Sequence, residues 1–212
     1  MINGDGLKVN IKKKSKERLE FEINGLTTAL AGELRRILIS EVPAMAIEWI
    51  DFHQNDSVLW DEVIANRLGL IPIKFDQSFF NMKDDCKCDG KGCVHCQVNF
   101  ALKKKGPATV YSGDLKSSDK KTRPLYDNIP IVKLSEGQVL ELEATAQLGL
   151  GKTHAKWQGA VVGYDTSEKD GNKYDFIVES ACGLPAEKVV MKSLEVLKGK
   201  LDDFTKDVER LK

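Results

Sequence analysis

LTTALAGELRRILISEV, residues 26–42, places Leu26, Leu30, Leu34, Ile37 and Leu38 at steps of three and four. That spacing puts them on one face of an α-helix. Asn24 and Gly25 break the preceding pattern, Thr27 or Thr28 can accept a hydrogen bond from a free N–H as the cap, and Pro43 cannot continue the helix. Ala29, Ala31 and Gly32 leave part of its surface nearly flat, open to close approach by another backbone, with Arg35 and Arg36 just beyond. Before this helix, Leu7, Val9 and Ile11, then Leu19, Phe21 and Ile23, alternate with polar residues as a half-wet strand does, with KKKSKER as a solvated interruption. After it, AMAIEWIDF (44–52) reads as a second strand.

DEVIANRLG, residues 61–69, predicts a short helix with Asp61 as cap, Val63, Ile64 and Leu68 facing inward, and Gly69 able to take a positive φ at its end. Next come Cys86, Cys88, Cys93 and Cys96, spaced C-x-C-x4-C-x2-C around a Gly-containing turn. Two close pairs of thiolates can reach the corners of a tetrahedron, as a closed structural Zn²⁺ site requires. Lys87 and Lys91 can offset the excess negative charge. Three other readings stand beside zinc: a 4Fe–4S cluster on the same four thiolates, a zinc-dependent chaperone of which CDGKGC is one imperfect unit, and a weakly held metal with His95 replacing a cysteine.

Residues 99–111 read as a strand, a Lys-rich turn with Gly106 and Pro107, and a returning strand; 112–127 as a polar loop. Leu140, Leu142, Ala144, Ala146, Leu148 and Leu150 form the cleanest alternation in the chain. YDFIVE (174–179) is a further strand, and Pro185 opens the last helix, with Glu187 behind it. There Val190, Leu194, Leu197, Leu201, Phe204, Val208 and Leu211 step by four and three, a heptad seam better explained by a partner helix than by intramolecular packing.

Thirty-two basic and thirty-two acidic residues cancel over 212 residues, so no global field draws the chain to nucleic acid or to an anionic membrane. No apolar run has the length of a bilayer span, and the amino terminus lacks the apolar core of a signal peptide. The expectation is a soluble, cytoplasmic protein whose cysteines suit a reducing compartment. His154, with no serine, cysteine or carboxylate near it in sequence, reads as structural or interfacial.

Three ordered phrases carry a family resemblance. FEINGLTTALAGELRRILISEVPAMAIE (21–48), DEVIANRLGLIPI (61–73) and GKTHAKWQGAVVGYD (151–165) resemble the alpha-like subunits of cellular RNA polymerases. These are the bacterial alpha amino-terminal domain, the third-largest subunit of RNA polymerase II and, most similar in wording, the archaeal D subunit. The resemblance implies an α+β fold: a discontinuous, alpha-subunit-like dimerisation domain (1–43 and 159–212) and an inserted, mostly β domain (44–158) carrying the four-cysteine metal loop. It also implies a non-catalytic assembly platform that pairs with the smaller alpha-like subunit L, docks the second-largest subunit and joins small subunits N and P. Carried onto this sequence, Arg35 and Arg36 contact the large subunit. Leu30, Leu34 and the seam from Val190 to Val208 are the candidates for the heterodimer interface, with Leu30 and Leu34 also open to the core or the large-subunit contact. The chain departs from the pattern at Gly32 and Glu33, where relatives often have asparagine and alanine, and at Gly159, where they commonly have proline. The iron–sulfur module of some archaeal D subunits falls after 160–165, where this sequence has only Cys182. No carboxylate-dense motif or Gly-rich phosphate loop is present, so any nucleotidyl transfer belongs to a complex. The alternative from another class is a free-standing zinc chaperone or iron–sulfur electron carrier.

Overall fold

The computed structural model describes residues 6–166 and 172–210. In chain order the elements are β1 (Lys8–Lys14), β2 (Arg18–Asn24), α1 (Thr28–Ser40), β3 (Ala44–Asn55), α2 (Asp61–Gly69), β4 (Ile73–Lys74), β5 (Gln97–Lys105), β6 (Ala108–Tyr111), β7 (Lys116–Ser117), β8 (Arg123–Pro124), β9 (Pro130–Leu134), β10 (Val139–Gly149), β11 (Ala160–Thr166), β12 (Lys173–Ser180) and α3 (Ala186–Glu209). Short 3-10 turns stand at Ser112–Asp114 and Ala155–Trp157. The architecture is α+β, and the chain divides into two compact units. One is Met1–Val42 with Leu150–Lys152 and Gln158–Lys212; the other is Pro43–Gly149 with Thr153–Trp157.

The first unit is built on an antiparallel sheet of order β1-β2-β12-β11. Alternation sends Leu19, Phe21 and Ile23 of β2 and Tyr174, Phe176 and Val178 of β12 to one buried face. Phe21 stacks on Phe176 with ring centroids 5.3 Å apart. Leu34, Ile37 and Leu38 of α1 are buried as well, each contributing about 1.5–3 kcal/mol relative to exposure. The Thr27 hydroxyl accepts from the Leu30 N–H at 3.3 Å, so α1 starts at Thr28, two residues inside the expected span. Leu26 is buried in the turn before that cap. In α3 the buried residues are Ala186, Val189 and Ser193, and Pro185 is the N-cap residue, one position before the helix.

The second unit centres on β10, which pairs with β3 on one side and β5 on the other; β7 completes the order β3-β10-β5-β7. Leu140, Leu142, Ala144, Ala146 and Leu148 are buried, as the alternation requires. The helix α2 has its expected bounds, but Trp60 is its cap, Val63 is exposed and Gly69 does not take a positive φ. Ile64 and Leu68, four apart, suffice to bury one side of so short a helix.

The expected hairpin at 99–111 does not form. β5 pairs with β10 and β7, while β6 pairs with β9, because long-range partners with matching alternation outcompete the local one. Lys103, Lys104 and Lys105 accordingly lie within β5, with Lys103 paired to Glu141 and Lys104 to Asp114. The polar stretch 112–127 is ordered by its own hydrogen bonds, including Ser112 Oγ to Tyr126 O and Thr122 Oγ1 to Asp119.

Candidate metal centre and assembly surfaces

The metal-binding signal resolves into one compact group. The ligand atoms of Cys86, Cys88, Cys93 and Cys96 all lie within 4.8 Å of one another, with Sγ–Sγ separations of 3.5 Å for Cys86–Cys93, 3.6 Å for Cys88–Cys96 and 3.9 Å for Cys93–Cys96. Four sulfurs about 2.3 Å from a common centre stand about 3.8 Å apart, so this donor set fits a single four-coordinate ion. A cubane cluster puts each thiolate on a separate iron and needs a wider cage.

The backbone makes this geometry possible: Asp89, Gly90 and Gly92 take φ of 51°, 74° and 91°. These left-handed conformations fold two tight turns, closed by Asp89 N–H to Cys86 O and Lys91 N–H to Cys88 O, both at 3.1 Å. A Cβ at Gly92 would also fall 2.3 Å from Gln97 Oε1.

Burial pushes the Cys96 thiol up to about 12. At Cys88 burial acts upward too, but the Gly92 amide and the neighbouring sulfurs outweigh it and bring the thiol down to about 7. Cys88 and Cys96 are thus pushed in opposite directions, and a bound divalent cation is what would hold all four sulfurs as thiolates. His95 is not in the group: its ring packs 4.9 Å from Phe79, which meets Phe80 edge-on. Cys182 is buried in the other unit.

The seam residues of α3 and the apolar positions of α1 meet at a second feature, a groove of about 410 Å³ in the first unit. Leu30 and Leu34 line it from α1, Val190, Leu194 and Leu197 from α3, and Val9 and Ile11 from the bare edge strand β1. Farther along α3 the seam leaves the body: Leu201, Phe204 and Val208 are 55%, 68% and 41% exposed. Leu211 lies outside the described residues. The seam thus adjoins the buried side of α3 in its first half, where Val190 and Leu197 are half-buried, and is open from Leu201 onward.

Arg35 and Arg36 are not aimed at one target. Arg35 Nε donates to Val162 O at 3.1 Å, capping a carbonyl of β11, and Arg36 donates from Nε and Nη2 to Glu33 Oε2 at 3.1 and 2.7 Å.

Lys156 was not singled out by residue pattern. Its side chain is 14% exposed and ion-paired to Glu48, with Nζ 3.1 Å from Ile47 O and 4.5 Å from the Trp157 ring centroid. His154 Nδ1 accepts from the Lys156 backbone N–H at 3.1 Å, a structural use of that imidazole. The available signal was the phrase THAKWQ itself; the partner Glu48 is 108 residues away. Among the described residues no helix is long and apolar enough to cross a membrane.

Comparison with known proteins adds sequence relatives to this geometry. The family described as the RNA polymerase Rpb3/RpoA insert domain matches residues 50–164. The chain is similar to DNA-directed RNA polymerase subunit Rpo3 of Methanosphaera stadtmanae, 46% identical over 157 residues. That match covers 72% of this chain and 58% of the relative, so the chain aligns with little more than half of that protein. It is also similar to subunit Rpo3 of Archaeoglobus fulgidus, 33% identical over 259 residues, covering 96% of this chain and 98% of the relative. Subunit Rpo3 of Pyrococcus furiosus is 40% identical over 187 residues, with 88% and 66% covered.

Proposed function

The chain belongs to the Rpb3/RpoA family of DNA-directed RNA polymerase subunits, and from that premise we propose that it is a non-catalytic assembly platform, the role of the D subunit in archaeal polymerases. The segments 1–43 and 159–212 form its dimerisation domain and 44–158 the inserted domain. The observation that carries this reading is the α3 seam, whose residues Leu194, Leu201, Phe204 and Val208 stay exposed on a helix already packed at Ala186, Val189 and Ser193. An exposed row of this length is costly in water unless a partner covers it, and heptad spacing selects a helix as the cover. That partner is the smaller alpha-like subunit L. Leu30, Val190, Leu194, Leu197, Leu201, Phe204 and Val208 form the contact, over Leu34 at the buried floor of the groove, and Arg35 and Arg36 dock the second-largest subunit. Small subunits N and P complete the platform in the cytoplasm.

The metal held by Cys86, Cys88, Cys93 and Cys96 is Zn²⁺, which has the coordination number and the affinity for thiolate that this donor set offers. Its role is to tie the loop together, and catalysis is assigned to the complex. The test is coexpression with subunit L of an archaeal polymerase, followed by size-exclusion chromatography with light scattering and metal analysis of each peak. The expected result is a one-to-one heterodimer with about one zinc, abolished by Leu194→Asp. A monomer that ignores the partner overturns the platform reading, and a brown chromophore replaces zinc with an iron–sulfur cluster.

A further inference from the structure

The helices α1 and α3 share an ion cluster that the sequence pattern does not announce. Lys200 Nζ lies 2.6 Å from Glu41 Oε1 and 3.0 Å from Glu33 Oε1. The other oxygen of Glu33 accepts both Arg36 bonds. One carboxylate therefore serves two cations on two helices. Both cations hold the Glu33 carboxyl below its ordinary range, Arg36 more than Lys200.

The place of Lys200 along α3 gives this sharing a consequence. The last half-buried residues of the helix are Val196 and Leu197, and from Lys198 to Arg210 every residue is exposed. Gly199 follows, with open space where a Cβ would stand, and it is the weakest helix former in α3. Lys200 then carries the ion pairs back to α1. The pairs beyond it, Lys206 with Asp203 and Arg210 with Asp207, stay within the helix. The direction of the distal half, with Leu201, Phe204 and Val208, thus depends on a weak helix residue and one charged clamp.

We propose that Glu33 is a positioning residue that couples the arginine side of α1 to the seating of the distal half of α3, through competition between Arg36 and Lys200 for one carboxylate. Two cations on one carboxylate repel each other, so neutralising Arg36 strengthens the hold on Lys200. The consequence for assembly rests on the function proposed above: a carboxylate on a large partner chain that engages Arg36 would steady the α3 stripe for its partner helix. By linkage, a partner helix that steadies α3 would leave Arg36 freer for docking.

The test needs no partner protein, so its outcome can be read whether or not the heterodimer forms. Amide hydrogen exchange is followed in residues 200–209 of the full chain at low salt, with the amides of β12, in the same unit, as the internal control for folding. Exposed ion pairs are weak, so the expected changes are about two- to fivefold. Lys200→Met and Glu33→Gln should each speed exchange in 200–209 by that factor. Arg36→Met should slow it, and should lose that effect in the Glu33→Gln background. Unchanged or faster exchange in Arg36→Met overturns the proposal, as does a slowing that persists without Glu33.

Discussion

Glu22 stands on the polar face of the first sheet between Lys173 at 3.0 Å and Lys12 at 3.2 Å, and accepts from Asn24 Nδ2 at 2.9 Å. Lys173, then Asn24 and Lys12, lower its carboxyl from 4.5 to about 2. A depressed carboxyl stabilises the fold fully above its unfolded value, and that contribution is lost as pH falls from 4.5 toward 2. Glu22→Gln should therefore flatten the acid limb of stability across that window, which urea midpoints measured through it would show. Legibility at this scale followed distance along the chain. The four cysteines were readable because their ligands lie within eleven residues of one another and their turns are written as Asp89, Gly90 and Gly92. The Lys12–Asp175 and Lys156–Glu48 pairs were not, because each joins residues more than a hundred positions apart.

Among the elements, α3 shows how a helix can serve two neighbours. Its inward face is made of the small residues Ala186, Val189 and Ser193, which a search for large apolar residues passes over. The row that periodicity did reveal is half-buried at Val190 and Leu197 and open at Leu194 and from Leu201 to Val208. Gly199 sits within this helix without steric need, since nothing lies within 4 Å of the position a Cβ would take. Gly199→Ala should stabilise α3 by about 1 kcal/mol, visible as a higher helical melting midpoint and slower exchange in 200–209. The strand elements carried the opposite lesson. Alternation from Leu140 to Leu150 located β10 to within a residue at each end, Leu150 falling just outside it, yet could not say that β5 would reach it past the adjacent β6, since pairing depends on which edges are free and not on which strands are neighbours.

The whole molecule holds two compact units with different sources of stability. The first rests on a stacked aromatic core under two helices. In the second, the stretch from 76 to 96 has no strand or helix and is organised by turns around the cysteines. Removing the metal with a chelator should therefore loosen the second unit selectively. At free metal a thousandfold above its dissociation constant the loss is about 4 kcal/mol. Differential scanning calorimetry with and without chelator checks the size, and exchange in 76–97 against that in β12 checks the place. Sequence by itself determined the α+β class, a helix within 26–42 and one at 61–69, the central strand, the four clustered cysteines and the family, because each is a local pattern or an ordered phrase. Only the tertiary structure decided where along α3 the seam passes from half-buried to open, that Arg35 and Arg36 turn to different partners, and that Glu33 is shared by two helices. Those outcomes depend on which groups the fold brings within a few ångströms, and spacing along the chain does not encode that proximity.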